Sequence, residues 1–183
     1  MITVIPLCFD LSKREDTAKI LALHTVGLSK VSVLINNAGG ALGLSPLQDG
    51  DVDDWEQMID INLKGLLYMT KFLLPNIINQ HGDIVNIVSV AGRWCYPNGN
   101  VYCATKHAVQ ALSECMRYDL LGKNVRVINI SPGMVETEFS LVRLKDPKKA
   151  KEVYQGMRPL SPKDIATAIV WSLNIPKHVN VQE

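Results

Sequence analysis

Tyr102 and Lys106 stand four residues apart in the stretch Asn-Val-Tyr-Cys-Ala-Thr-Lys. On a helix that spacing puts both side chains on one face. A phenol titrates near ~10 when unperturbed. A neighbouring ammonium favours the phenolate, so the pair predicts a tyrosine whose pKa is pulled down and which can exchange a proton with a substrate. An isolated Y-x-x-x-K is usually a surface tyrosine lying on a lysine stem. Three other features lift this one above that reading. Ser89 ends a short apolar run thirteen residues earlier, and its hydroxyl can donate to a carbonyl. Asn36-Asn37-Ala38-Gly39-Gly40 follows a second run, where small residues let a ligand approach the backbone. Pro132-Gly133, with Thr137, follows a third, where an amide and a hydroxyl suit a carboxamide or a phosphate.

Residues at the ends of apolar runs need strands to carry them. Residues 3–8, 31–35, 83–88 and 125–130 are short, apolar and largely β-branched, which predicts buried strands. Between them lie helical patterns. Residues 12–26 open on Ser12 with Glu15 three places on, a capping box. Residues 51–80 form a long pattern through Trp55, Met58, Asn62 and Leu66, with Pro75 near its end. Residues 101–121 carry Tyr102 and Lys106. Two further patterns cover 146–154 and 162–173, the second with Pro162 behind Ser161 as N-cap. Residues 178–182 read as a last extended piece. Strands alternating with helices predict an α/β fold with a parallel sheet covered on both faces. Ligands then sit at the carboxyl ends of the strands, where Asp10, Asn36 to Gly39, Ser89 and Pro132-Gly133 collect.

Composition narrows the function classes. The chain has 183 residues, 47% of them hydrophobic, which is enough for a core. A net charge of +1 gives no reason to expect nucleic acid or an anionic membrane as partner. The basic run from Lys145 to Lys151 is broken by Asp146 and Pro147 and reads as a solvated helix start. No apolar run reaches the ~18 residues of a membrane span. Cys8, Cys95, Cys103 and Cys115 form no C-x-x-C pair and no histidine stands at ligand spacing to them. Reduced thiols in a cytoplasmic, metal-free protein are therefore expected.

Asn-Asn-Ala-Gly, a strand-end serine, Y-x-x-x-K and P-G-x-x-x-T, in this order and over essentially the whole chain, resemble the short-chain dehydrogenases/reductases. The resemblance implies a Rossmann-type, doubly wound parallel sheet that binds NADP(H) or NAD(H). It implies Tyr102 as catalytic acid/base, Lys106 lowering its pKa and holding the nicotinamide ribose, and Ser89 positioning the substrate oxygen. Asn62, in Ile-Asn-Leu-Lys-Gly, matches an asparagine that holds a water of the proton relay; without the family it would read as a helix asparagine bonded to backbone. Asp10 and Leu11 match the adenine side, Asn37 a residue beside the adenosine ribose, and Ala38 and Gly39 further cofactor-binding positions. Pro132, Gly133, Val135 and Thr137 match the segment that wraps the nicotinamide and phosphates. A homo-oligomer, tetramer or dimer, is implied for the full-length protein.

Gly-Asn-Val-Tyr-Cys-Ala-Thr-Lys, Pro-Gly-Met-Val-Glu-Thr-Glu-Phe-Ser-Leu-Val-Arg and Ile-Pro-Lys-His-Val-Asn-Val are similar, within the family, to the NADP-dependent 3-hydroxy acid dehydrogenases. That likeness implies NADP, with NAD as alternative, and a short hydroxy acid, secondary alcohol or carbonyl as substrate. A hydroxy acid needs a cation for its carboxylate. Arg93 and Arg143 follow ligand-edge segments and are the candidates, although a surface ion pair is the commoner role for each. The larger sugar-nucleotide epimerase branch shares Y-x-x-x-K, but the short length and the Pro-Gly-Met-Val-Glu-Thr-Glu-Phe segment argue against it.

The family pattern opens with a strand and a T-G-x-x-x-G-x-G turn that seats a pyrophosphate. No such turn precedes Asp10. The expectation is one incomplete domain, residues 1–183, lacking the first β-α-β unit and stopping inside the last strand. In the strand order 3-2-1-4-5-6 this leaves residues 3–8 without a neighbour and makes 31–35 an open edge. Such a chain is expected to bind dinucleotide poorly. A second class of function is then a non-catalytic truncated form or pseudoenzyme that associates with full-length subunits.

Overall fold

The computed structural model describes residues 3–183. Helices α1 (Arg14–Leu23) and α2 (Thr25–Leu28) lead into strand β1 (Val33–Asn36). Helix α3 (Val52–Ile59) runs through a π-helical turn, Asp60–Gly65, into α4 (Leu66–Asn79). Then come β2 (Asp83–Ile87), α5 (Asn100–Asp119), β3 (Arg126–Ile130), α6 (Phe139–Leu144), α7 (Pro147–Glu152) and α8 (Pro162–Asn174). The three strands pair in parallel in the order β1-β2-β3, an α/β Rossmann-type arrangement. No helix among the described residues is long and apolar enough to cross a membrane.

The core forms where the apolar faces of α4 and α5 meet the sheet. Leu34, Ile84 and Val127 from the strands pack with Leu73 and Ile77 of α4 and Val109 and Met116 of α5. Three asparagines stand in register across the sheet, Asn36 opposite Asn86 and Asn86 opposite Asn129. Asn36 Nδ2 donates to Asn86 Oδ1 (2.9 Å) and Thr70 Oγ1 (3.2 Å), and Asn86 Nδ2 donates to Ser113 Oγ (2.9 Å). This row ties the strands to α4 and α5. Buried amides that find such partners fix register as well as adding stability.

Several boundaries differ from the sequence reading. Residues 3–8 form no strand; Val4 and Ile5 are exposed, because the run has no strand beside it to complete a ladder. A capping box on Ser12 and Glu15 is absent. Helix α1 begins at Arg14 with Lys13 as an N-cap that makes no side-chain bond, since Ser12 Oγ donates instead to Asp10 Oδ1 (2.6 Å). The long pattern over 51–80 is broken by the π-helical turn, and Pro75 stands inside α4. Helix α6 lies outside the helical patterns that the sequence shows. Residues 178–182 join no strand, although the Gln182 carbonyl accepts from Asn129 N (3.3 Å). The capping box of Ser161 and Asp164 at α8 is as the sequence predicts. Strand β1 is an open edge, with Val33 37% and Ile35 44% exposed.

Candidate active site

The carboxyl ends of the strands carry the site. Past β2 the chain turns at Ser89, whose Oγ accepts from Ala91 N (3.1 Å) and caps a short 3-10 turn, Val90–Gly92. That turn lies on α5: a Cβ on Gly92 would stand 3.0 Å from the Lys106 carbonyl oxygen, so only glycine lets the turn approach the helix. The turn and helix bring Ser89 against Tyr102. Lys106 lies on the same helical face, its Nζ 5.9 Å from the centroid of the Tyr102 ring. Its ammonium donates to the Ile87 carbonyl at the end of β2 (2.9 Å). Tyr102 is buried in a second small core of Ala41, Met58, Ala91 and Cys103, with the Phe139 ring 5.7 Å away at 63°.

Asn62 sits in the π-helical turn, a distortion often found at functional positions. Its Oδ1 accepts from Gly40 N (2.8 Å), and its Nδ2 donates to Gly40 O (2.9 Å) and Thr105 Oγ1 (3.0 Å). The side chain thus clamps the loop after β1 to α5. A Cβ on Gly39 would stand 2.7 Å from Asn62 Oδ1 and 3.9 Å from Lys106 Nζ, so this loop runs directly over the lysine. Two openings flank the centre. A groove of about 340 Å³ at the end of β1 is lined by Leu11, Asn37, Ala38 and Gly65, among others. A cleft of about 420 Å³, open to solvent, lies on the other side and is lined by Leu42, Gly43, Trp55, Met58, Tyr102 and Arg143, among others.

A family model described as short chain dehydrogenase matches residues 2–147, with Ser89, Tyr102 and Lys106 inside the match. The chain belongs to the short-chain dehydrogenase family. It is an oxidoreductase by that membership. It is 46% identical over 175 residues to the NADP-dependent 3-hydroxy acid dehydrogenase YdfG of Shigella flexneri, covering 94% of this chain and 71% of that protein. It is 43% identical over 176 residues to the serine 3-dehydrogenase of Agrobacterium fabrum, covering 96% and 71%. Its fold matches the closed form of a serine dehydrogenase complexed with NADP+ at a TM-score of 0.91 and 45% identity, covering 94% of this chain and 71% of that one. The serine dehydrogenase of Escherichia coli matches at 0.79 and 39%, over the same shares.

The electrostatics of this dehydrogenase differ from the sequence expectation at one point. Burial pushes the Tyr102 phenol above its ordinary range. The Ser89 hydroxyl and the Arg143 charge pull the other way but do not overcome it. The expected lowering by Lys106 is not found; its ammonium is bonded to Ile87 O and stands 5.9 Å from the ring centroid. Burial instead lowers Lys106 itself to about 8. The native state therefore sheds the Lys106 proton before the unfolded chain does. Stability should rise as pH climbs from about 8 toward the ordinary 10.5. Lys106→Met should remove that rise. Urea melts of both proteins across the window check this, and parallel slopes would refute it.

The remaining predicted positions separate clearly. Leu11, Asn37 and Ala38 gather around the groove at β1, while Gly39 lies outside that lining, against Asn62 and Lys106. Asp10 is exposed and not part of that lining; it accepts from Ser12 Oγ (2.6 Å) and Ser12 N (2.9 Å), and these bonds, the hydroxyl first, hold its carboxyl below the usual range. Pro132 O accepts from Val90 N (3.0 Å), so the segment after β3 is fastened to the serine turn. A Cβ on Gly133 would meet open space. Val135 bridges to Leu160, and Thr137 Oγ1 accepts from Phe139 N (3.1 Å) at the start of α6. Arg93 is a surface residue paired with Glu183. Arg143 lines the cleft. Sequence reasoning missed Thr105, which holds Asn62, and Tyr96, which holds Arg143 (Nη1 to Oη, 2.7 Å). Neither stands at a telling spacing from its partner.

Proposed function

We propose that the protein transfers hydride reversibly between NADP(H) and the carbinol carbon of a short hydroxy acid or secondary alcohol, with Tyr102 as acid/base. The observation that carries the reading is a buried phenol beside Ser89, at the carboxyl edge of a parallel sheet, with an open groove on one side and a cleft on the other. The NADP-dependent relative and the serine dehydrogenase complexed with NADP+ support NADP over NAD.

The residues present fit the adenosine and nicotinamide ends of the dinucleotide. The groove lined by Leu11, Asn37 and Ala38 suits its adenosine end, with Asp10 just outside. Tyr102, Lys106, Pro132, Gly133, Val135 and Thr137 would hold the nicotinamide end, Gly133 having free space above its Cα. When bound, the nicotinamide supplies the hydride acceptor or donor. The chain's own groups handle the proton. Ser89 donates to the substrate oxygen. Tyr102 gives its proton to that oxygen as a carbonyl is reduced and takes it back as an alcohol is oxidised. Its raised pKa keeps the phenol protonated at neutral pH, the form needed for reduction. Lys106 carries a positive charge beneath the Gly39 loop, and Asn62 holds that loop in place. Burial of Tyr102 against Phe139 limits access of bulk water.

L-serine or 3-hydroxybutyrate bearing deuterium at the carbinol carbon should deliver the label to NADP+, read by mass spectrometry of the reduced nicotinamide. Failure of label transfer from both overturns the proposal.

A further inference from the structure

We propose that Thr105 is a positioning residue of the proton-transfer site, its hydroxyl joining the Tyr102 carbonyl to the Asn62 amide and so holding the loop over Lys106. The inference deepens the proposed hydride-transfer function and rests on it.

Thr105 is 3% exposed and lines neither the groove nor the cleft, so it meets no substrate. A buried helix threonine commonly bonds back to a carbonyl of the preceding turn. Thr105 does so, Oγ1 donating to Tyr102 O (2.8 Å). A second bond sets it apart. The same Oγ1 accepts from Nδ2 of Asn62 (3.0 Å), 43 residues away in the π-helical turn. A hydroxyl has one proton to give. With that proton on the Tyr102 carbonyl, Oγ1 only accepts on its other side, and only the NH2 edge of Asn62 fits there. The Asn62 amide is thereby turned with Oδ1 toward Gly40 N (2.8 Å) and its second amide proton toward Gly40 O (2.9 Å). Gly40 N–H, the Asn62 amide, the Thr105 hydroxyl and the Tyr102 carbonyl form one directed chain, in which each bond polarises the next.

Both ends of the chain bear on the proposed chemistry. One end is the backbone of Tyr102. The other is the loop after β1, so close above Lys106 that a Cβ on Gly39 would stand 3.9 Å from its Nζ. Among the described residues Nζ makes a single hydrogen bond, to Ile87 O (2.9 Å), so the loop above it limits its remaining freedom. Without the Thr105 hydroxyl, one Nδ2 proton of Asn62 is buried with no acceptor, since Asn62 is itself 3% exposed. The amide then gains by turning toward water. That turn releases Gly40, and with it the cover of Lys106.

Thr105→Val keeps the shape of the side chain and removes the hydroxyl, whereas Thr105→Ser keeps the hydroxyl. With L-serine and saturating NADP+, Thr105→Val should lower kcat roughly tenfold. KM for L-serine should stay within about twofold, because the cleft lining is untouched. Thr105→Ser should recover most of the loss. Amide hydrogen exchange read by NMR needs no turnover. In Thr105→Val it should accelerate roughly tenfold at Gly40 and stay unchanged in β2 and β3. Thr105→Ala, which only removes atoms, carries the same readings if the valine variant does not fold. Unchanged exchange at Gly40, or equal turnover by the valine and serine variants, overturns the proposal. Faster exchange across the whole sheet overturns it too, because that is a loss of stability and not of position. A wild-type protein that turns over neither L-serine nor 3-hydroxybutyrate, while Gly40 still responds to Thr105→Val, sinks the hydride-transfer reading alone.

Discussion

Tyr102→Phe is expected to lower turnover by roughly 10²–10⁴-fold, the range over which a positioned proton donor acts. The substitution removes one oxygen and keeps the ring. The edge contact with Phe139 at 5.7 Å and the guanidinium of Arg143 at 5.5 Å both involve the ring, so the local packing should persist. Deleting the hydroxyl also removes a buried polar group whose ionised form burial opposes. The folded protein should therefore be as stable as the wild type within about 1 kcal/mol, and its affinity for NADP(H) should be nearly unchanged. Steady-state rates, thermal unfolding and a dinucleotide titration separate these outcomes. Retained turnover removes Tyr102 from the chemistry. A collapse in Tm alongside the loss of rate would mean that the variant reports on folding instead.

Asp83 carries the second large effect. It opens β2, directly opposite Arg126 at the start of β3, and both side chains are buried. Arg126 Nε meets Asp83 Oδ1 at 2.6 Å and Nη2 meets Oδ2 at 3.0 Å, a two-point contact. The same guanidinium donates to the carbonyls of Leu173, Ile175 and Val179, binding the end of α8 to the sheet. Lys177 adds a third contact to Oδ2 at 2.8 Å, from a largely exposed side chain that contributes less. Asp83→Ala leaves the Arg126 charge buried without its counter-ion, which should destabilise the fold by about 3–5 kcal/mol. Urea unfolding measures it, and a loss below 1 kcal/mol would refute the account. The pH dependence follows from the same geometry. Burial pushes the Asp83 carboxyl up, yet Arg126 and Lys177 together hold it below its ordinary 3.8. Its stabilising contribution is thus present above that value and lost as pH falls through the lower, folded one. Asp83→Ala should flatten this acid limb.

Much of the site was legible in the chain itself. Short β-branched runs separated by helical patterns require a parallel sheet, and the sheet observed is parallel. The i, i+4 spacing alone places Tyr102 and Lys106 on one helical face, and Ser89 follows β2 as the apolar run predicts. These are local properties, set by the period of each element. Residues 3–8 show the limit of that reasoning: an apolar run has strand character, but a strand exists only against a neighbour.

What the tertiary structure decided is which groups face each other across long stretches of chain. Arg143 pairs with Tyr96, 47 residues away, whereas Arg93 pairs with Glu183. The loop over Lys106, clamped by Asn62, and the Ile87 carbonyl fix where the ammonium points, so burial rather than the lysine governs the phenol. Periodicity specifies a side chain's face; its partner, its desolvation and its charge environment arise only when distant segments close on one another.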